Sequence, residues 1–516
     1  MRSRETRTRV VITLYMLVAG LWFVGLAHAQ QLGTITFPTS GASAAQPAFL
    51  EGVKDLHSFQ FDEAALAFQK AEAADPGFAL AYWGEAMSHN HPLWSEVDVP
   101  AAKNALEKLA PTPEGRVAKA KTPKEKAYLE AVNQLFYTPG DKLARDNAYS
   151  QAMAKMYEQW PDDREVDIFY ALSLLGTVRP SDTGFRRQAL AASICLKVFQ
   201  ENPNHPGAAH FIIHAFDDPD HAILALPAAR AYAKIAPSAA HAVHMPTHIF
   251  LRLGMWQDVA SSNIVAYQSA VALNQHMHLA EGREDFHALS WLQYANLMLG
   301  KFDEAKKNLE LAKAADDRNP GSRPVHQGYL GMRARYILET GQWEKIPVEA
   351  AAAVPTGEGI DYARGADNGT WTFIAGLSAI KLGDLSTADK AAAQLRAMRE
   401  RTEASGNSYA AKPFAIMEKE LIAETQLARG QKDDAVRLAK EAADIDLTVA
   451  PPSGPPEPIK PALELYGDVL MEVGHAKEAV AAYEQELLRT PNRTPTVKGL
   501  ARAKGAQVSM TTSGQP

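Results

Sequence analysis

Along most of this 516-residue chain, apolar residues recur with a spacing near 3.6, the period of an amphipathic helix. The periodic stretches are rich in Ala, Leu and Glu and are cut by short Gly, Pro and Asp-Pro breaks, which predicts a succession of helices joined by tight turns. No segment alternates apolar and polar residues well enough to predict a strand. Several breaks share one signature: a glycine or small turn, an aromatic, an acidic pair and then alanine. Phe61-Asp62-Glu63-Ala64 and Gly300 to Ala305 carry it fully. Weaker copies run from Gly254 to Val259, Gly383 to Ala388, Gly430 to Ala435 and Gly474 to Ala479.

Other sites follow these breaks in phase. Ala64, Phe68, Ala71 and Pro76 are the small, aromatic, small and proline sites of one unit, and Ala479, Tyr483 and Pro491 repeat them near the end. Gly376 and Gly467 take the small site of the preceding helix, while Pro203 and Pro237 end units 34 residues apart. The pattern resembles the tetratricopeptide repeat from about residue 47 to 507, with looser phasing between about 92 and 165. That resemblance implies an all-α, right-handed solenoid of helix-turn-helix units, with a concave groove lined by the first (A) helix of each unit. Residues 30–46 read as a linker, and 98–123 as an insertion rich in Lys, Pro and Ala. Residues 355–368 read as a loop, the Pro-rich 451–458 as an extended connector, and the polar 508–516 as a disordered tail.

The first 29 residues stand apart. Arg2, Arg4, Arg7 and Arg9 precede an apolar run from Val10 to Leu26, and Ala27-His28-Ala29 forms an A-x-A cleavage site. The segment reads as a secretory signal peptide, the alternative being an uncleaved anchor. An exported protein, periplasmic or secreted, is expected, with no membrane span in the mature chain. Removing the leader moves the formal charge from −7 to −10. An acidic surface without basic runs argues against a nucleic-acid partner. Cys195, the single cysteine, excludes an internal disulfide and sits in an apolar helical stretch as a packed thiol rather than a nucleophile.

Candidate chemistry concentrates in the histidines. Ten of the sixteen lie between His205 and His287. His210 and His214 precede His244 and His248 by one 34-residue step. Phase from Pro203 and Pro237 puts these pairs at the fifth and ninth positions of successive A helices, with His241 at the second. In tetratricopeptide domains these positions face the groove. In the next unit His287 matches His241, while Ser290 and Tyr294 replace the pair. An i, i+4 histidine pair can offer two nitrogens to one ion, and two adjacent pairs would supply four. Such a set suits Zn, Cu or Ni. Asp217 would support a ligand or, like His241, act as a general base near a metal-activated water. The competing reading has the same histidines packing and hydrogen-bonding across the groove without an ion. Glu85 and His89 form a weaker pair, read either as ligands or as a structural contact. Pro246 is expected to kink its helix. Arg335, with Arg333 and Arg364, is a candidate for a carboxylate in the later groove.

The strings Tyr82-Trp83-Gly84-Glu85-Ala86-Met87, His205-Pro206-Gly207-Ala208-Ala209-His210 and His244-Met245-Pro246-Thr247-His248-Ile249-Phe250 resemble a histidine-rich group of exported bacterial tetratricopeptide proteins. That resemblance implies no particular activity. Two functions are therefore expected: a groove that binds a peptide or protein segment in the cell envelope, or a metalloprotein, enzyme or carrier, built on the histidine cluster. Oligomeric state is not legible.

Overall fold

The computed structural model describes residues 31–179, 182, 184–348 and 362–513, with the side chains of residue 284 and of residues 362–368 and 508–513 outside that description. The leader at 1–29, the Gly-Glu-Gly stretch near 357 and the Arg364 side chain lie outside it.

The described chain is an all-α solenoid of tetratricopeptide type. Antiparallel pairs follow one another, among them Gln46–His57 with Phe61–Ala74, Arg164–Gly176 with Arg186–Glu201, and Ala462–Val473 with Ala476–Arg489. The small and aromatic sites explain the close crossings. Phe68 is fully buried, and a Cβ on Gly84 would stand 2.2 Å from its ring. Gly467 meets Tyr483 in the same way, at 2.6 Å. Among the described residues the only strands are the two-residue pair Asn90–His91 and Glu96–Val97. No described helix is long and apolar enough to cross a membrane.

Four segments differ from their sequence reading. Residues 31–45 are not a loose linker. Leu32 and Phe37 are buried, Thr34 N–H donates to the Asn204 carbonyl at 2.9 Å, and Ser40 Oγ donates to Glu125 at 2.8 Å. Two apolar anchors and these hydrogen bonds strap the segment across several repeats. The 98–123 insertion is folded as Val99–Leu109 and Pro113–Lys119, each capped by its preceding Asp98 or Thr112. Helix begins already at Tyr362, inside the expected loop. Residues 508–513 of the expected disordered tail continue the helix Thr494–Ser513, whose first half is seated on Tyr483 through Gly499 and the buried Ala503.

The groove is filled by the chain itself. Phe59, in the turn after Gln46–His57, is 6% exposed and lies against the middle repeats. From the other end, the Trp256 indole donates to the Asn492 carbonyl at 2.9 Å, and a Cβ on Gly254 would meet the Pro491 carbonyl at 2.4 Å. Arg493, 1% exposed, ties the last repeats to the middle of the coil. It pairs with Glu464 at 2.8 Å and Glu339 at 2.7 Å and donates to the Tyr294 hydroxyl at 3.1 Å. The Pro-rich connector lies along the groove: Gly454 packs on Trp291, and Arg335 binds the Pro456 carbonyl and Glu457.

Candidate metal centre

The histidines lie on the A helices Pro206–Ala215, Ala240–His244 continued as Pro246–Arg252, and Glu284–Met298. Pro246 lacks the N–H that the helix needs there, so the second of these is split at Met245. Both halves keep αR geometry at Met245, and His244 and His248 still reach a common point.

Four imidazoles do not converge on one ion. The structure forms two triads instead: His210, His214 and His241, and His244, His248 and His287, the ligand atoms of each lying within 4.8 Å of one another. Each triad takes the fifth and ninth positions of one A helix and the second position of the next. Successive A helices are staggered, so the start of the following helix faces the pair. His241 and His287 are 46 residues apart, not 34, because the intervening helix Trp256–Met277 has 22 residues. His241 thus joins His210 and His214 as the third imidazole of a group.

Three of the six imidazoles are oriented by their Nδ1. His210 Nδ1 donates to the His57 carbonyl at 2.6 Å, His244 Nδ1 to Asn263 Oδ1 at 2.8 Å, and His248 Nδ1 to Asp217 Oδ2 at 2.8 Å. The Asn263 amide nitrogen donates to the Val259 carbonyl, which fixes its oxygen toward His244. Each ring therefore turns a bare Nε2 inward. His210 Nε2 lies 3.0 Å from His214 Nε2. His244, 2% exposed, has its Nε2 buried without a hydrogen-bond partner. An ion with Zn–N bonds of 2.0–2.1 Å would place its nitrogens roughly 3.3 Å apart, so small ring rotations bring each triad to that geometry.

Burial holds His210, His214 and His244 well below the usual imidazole range, and neighbouring imidazoles add to it. For His210 these are His214 and His241, and for His244 they are His287 and His248. Neutral imidazole is the form that binds metal. In ¹⁵N NMR of the metal-free protein, His210 and His244 are expected as Nδ1–H tautomers that stay neutral well below pH 6.5. Protonation near 6.5 would contradict the burial.

Asp217 is an orienting group. Burial opposes its charge, but the Arg252 guanidinium, 2.9 Å away, and then His248 hold the carboxyl far below its usual range. So held, it is a poor general base, and of its two sequence readings the one that supports a histidine fits this geometry. The walls are aromatic. Phe59 lies 4.4 Å from His210 by ring centroid, Trp94 5.7 Å from His241, and Trp291 4.6 Å from His248. Of the six rings, His287 is exposed and opens the second triad to solvent.

The other candidates are engaged elsewhere. Glu85 accepts from Lys108 at 2.6 Å and Gln69 at 2.8 Å, which joins the first repeats to the 98–123 helices; neither it nor His89 belongs to a metal-like group among the described residues. Tyr294, 1% exposed, and Arg335 are consumed by Arg493 and the Pro-rich segment rather than lining a free groove. Ser290 donates to the His287 carbonyl. Arg333 pairs with Glu344 at 2.6 Å. Cys195 is buried, as its apolar stretch predicts, and burial pushes its thiol up.

Sequence reasoning missed His57, which lies far upstream of the histidine ruler. His57 and His205 donate their Nε2–H to the two oxygens of Glu165 at 2.7 and 3.2 Å, all three fully or nearly buried. Burial opposes the charge, yet the two imidazoles hold Glu165 down to about 2. His205 Nδ1 caps its own helix by accepting from Ala208 N–H at 3.2 Å. Gly207 is required here, since a Cβ would meet His57 Nδ1 at 2.7 Å. These bonds account for the group as a support for the His57 carbonyl that orients His210.

No protein-family model matches the chain, and no curated protein matches it. Solved structures similar to it include the tetratricopeptide domain of P58(IPK), at 12% identity over 92% of this chain and 99% of that one, with a TM-score of 0.24. Yeast Tom70 matches at 10% identity over 92% and 97%, with a TM-score of 0.32. A Rap protein complexed with competence and sporulation factor matches at 13% over 76% and 100%, also with a TM-score of 0.32. The assignment of fold rests on the repeats described above.

Proposed function

We propose that this chain is a transition-metal protein in which each histidine triad takes one ion, Zn, Cu or Ni, with three imidazole nitrogens. The observation that carries the reading is His244, whose Nδ1 is committed to Asn263 while its buried Nε2 faces the other imidazoles without a partner. Leaving such a group unsatisfied costs about 1–3 kcal/mol, and coordination would remove that cost. The His248–Asp217 bond is the support that metal-bound histidines commonly carry. A bound ion would act as a Lewis acid or activate water. The signal-peptide-like sequence of residues 1–29 supports a site outside the cytosol.

Elemental analysis of the purified chain tests this. About two ions per chain are expected, falling to near zero in His210→Ala plus His244→Ala at unchanged helicity. Sub-stoichiometric metal that ignores the double substitution would sink it.

A second reading, capture of a peptide or protein segment, is favoured by one observation: Trp291 and Arg335 already hold an extended, proline-rich, acidic stretch of the chain itself. An external segment would displace residues 454–457, and its binding would survive chelation.

A further inference from the structure

The two triads are not separate sites at opposite ends of a groove. They are consecutive along the same wall, and the facing rings of His214 and His248 have centroids 6.1 Å apart. His214 also faces His241 of its own triad, at 6.4 Å. Ions held by the two sets therefore stand close enough for one small ligand to touch both. We propose that the six imidazoles form one dinuclear copper centre, each ion taking three nitrogens and turning its remaining position toward the other.

Three features select copper. All six donors are imidazoles, with no carboxylate among them; the nearest, Asp217, is tied to Arg252 and His248 through both oxygens. Imidazole sets suit copper, and copper(II) stands highest in the affinity order of the first-row divalent ions. The set is also neutral and walled by Phe59, Trp94 and Trp291. Desolvating an ion costs more the higher its charge, so an apolar box of neutral ligands favours a monovalent ion. Cuprous ion is monovalent and content with three ligands, whereas zinc on three imidazoles still needs a fourth ligand such as water. In the oxidised pair a hydroxide, formed when bound water loses one proton to solvent, would bridge the two ions.

This rests on the metal reading above, and the experiment separates the two failures. The full chain is loaded with copper(II), its copper counted, and its electron paramagnetic resonance intensity measured. Two coppers per chain are expected with less than about a tenth of the corresponding spin signal, because bridged ions couple. His287→Gln, at an exposed ring, and His241→Gln are each expected to retain one copper and to recover about one spin per chain. Circular dichroism confirms that both variants are folded. Two coppers with two full spins would overturn the pairing and leave the metal reading standing, while one copper per chain would overturn the pairing and one of the two ion sites. Zinc or nickel retained in preference to copper would overturn the choice of ion. No retention of any of the three metals would overturn both.

Discussion

Arg493→Ala is expected to lower the unfolding free energy by about 3–5 kcal/mol, the cost of breaking a buried ion pair from one side. Arg493 is 1% exposed and bonds to Glu464, Glu339 and the Tyr294 hydroxyl. Glu464 also holds Lys460 at 2.8 Å and receives the Thr496 hydroxyl. Without the guanidinium, two carboxylates face each other in a dry interface between the last repeats and the middle of the solenoid. Urea denaturation measures the loss, and small-angle scattering should show a larger radius of gyration as the coil opens. Because desolvation of the charges offsets much of their attraction, Arg493→Met combined with Glu464→Met and Glu339→Met should lose less than Arg493→Ala alone. A single substitution costing under about 1 kcal/mol would show that the charge cluster does not hold the last repeats to the middle.

Phe59→Ala is expected to cost a similar amount, about 3–5 kcal/mol, since it removes a buried aromatic from the middle of the site. The ring stacks near His210, His214 and His241, with centroids at 4.4, 5.6 and 5.5 Å. Its backbone has φ of +54°, at the position after a helix where glycine is usual. A bulky side chain held there is strained, and such strain persists only where the surroundings impose it. Phe59→Gly should therefore be more stable than Phe59→Ala by roughly 1 kcal/mol, although glycine has even less to pack. With metal bound, both variants should speed its removal by chelators from the first triad more than from the second, which already opens at His287. Thermal unfolding and the kinetics of metal loss measure the two effects. If alanine proves as stable as glycine, the left-handed turn is not a source of strain.

The solenoid was legible because its information is local. The small site at Ala64, the aromatic at Phe68 and the close crossing at Gly84 are neighbours in sequence and in space. The same logic placed His210, His214, His244 and His248 on one wall. It misassigned their grouping, since equal phase does not mean equal height when successive helices are staggered. His287 consequently looked weaker than it is, and His241 looked like a base. His57 and Phe59 were not legible as site residues, because they lie about 150 residues from His210 and no repeat rule links them. Tyr294 and Arg335 were on the groove side by phase, but phase does not reveal that Arg493 and residues 454–457 occupy it.

That self-occupied groove changes how the chain must come apart. An ordinary repeat array behaves as a row of nearest neighbours, each free to fray or fold from any point. Here the turn at Phe59 is seated beside His210, and Arg493 beside Tyr294. Both contacts span more than 150 residues, so their loop-closure entropy must be met before either rewards the chain. These two long-range contacts fasten the coil toward a single cooperative unit, which is expected to fold slowly and to melt in one transition.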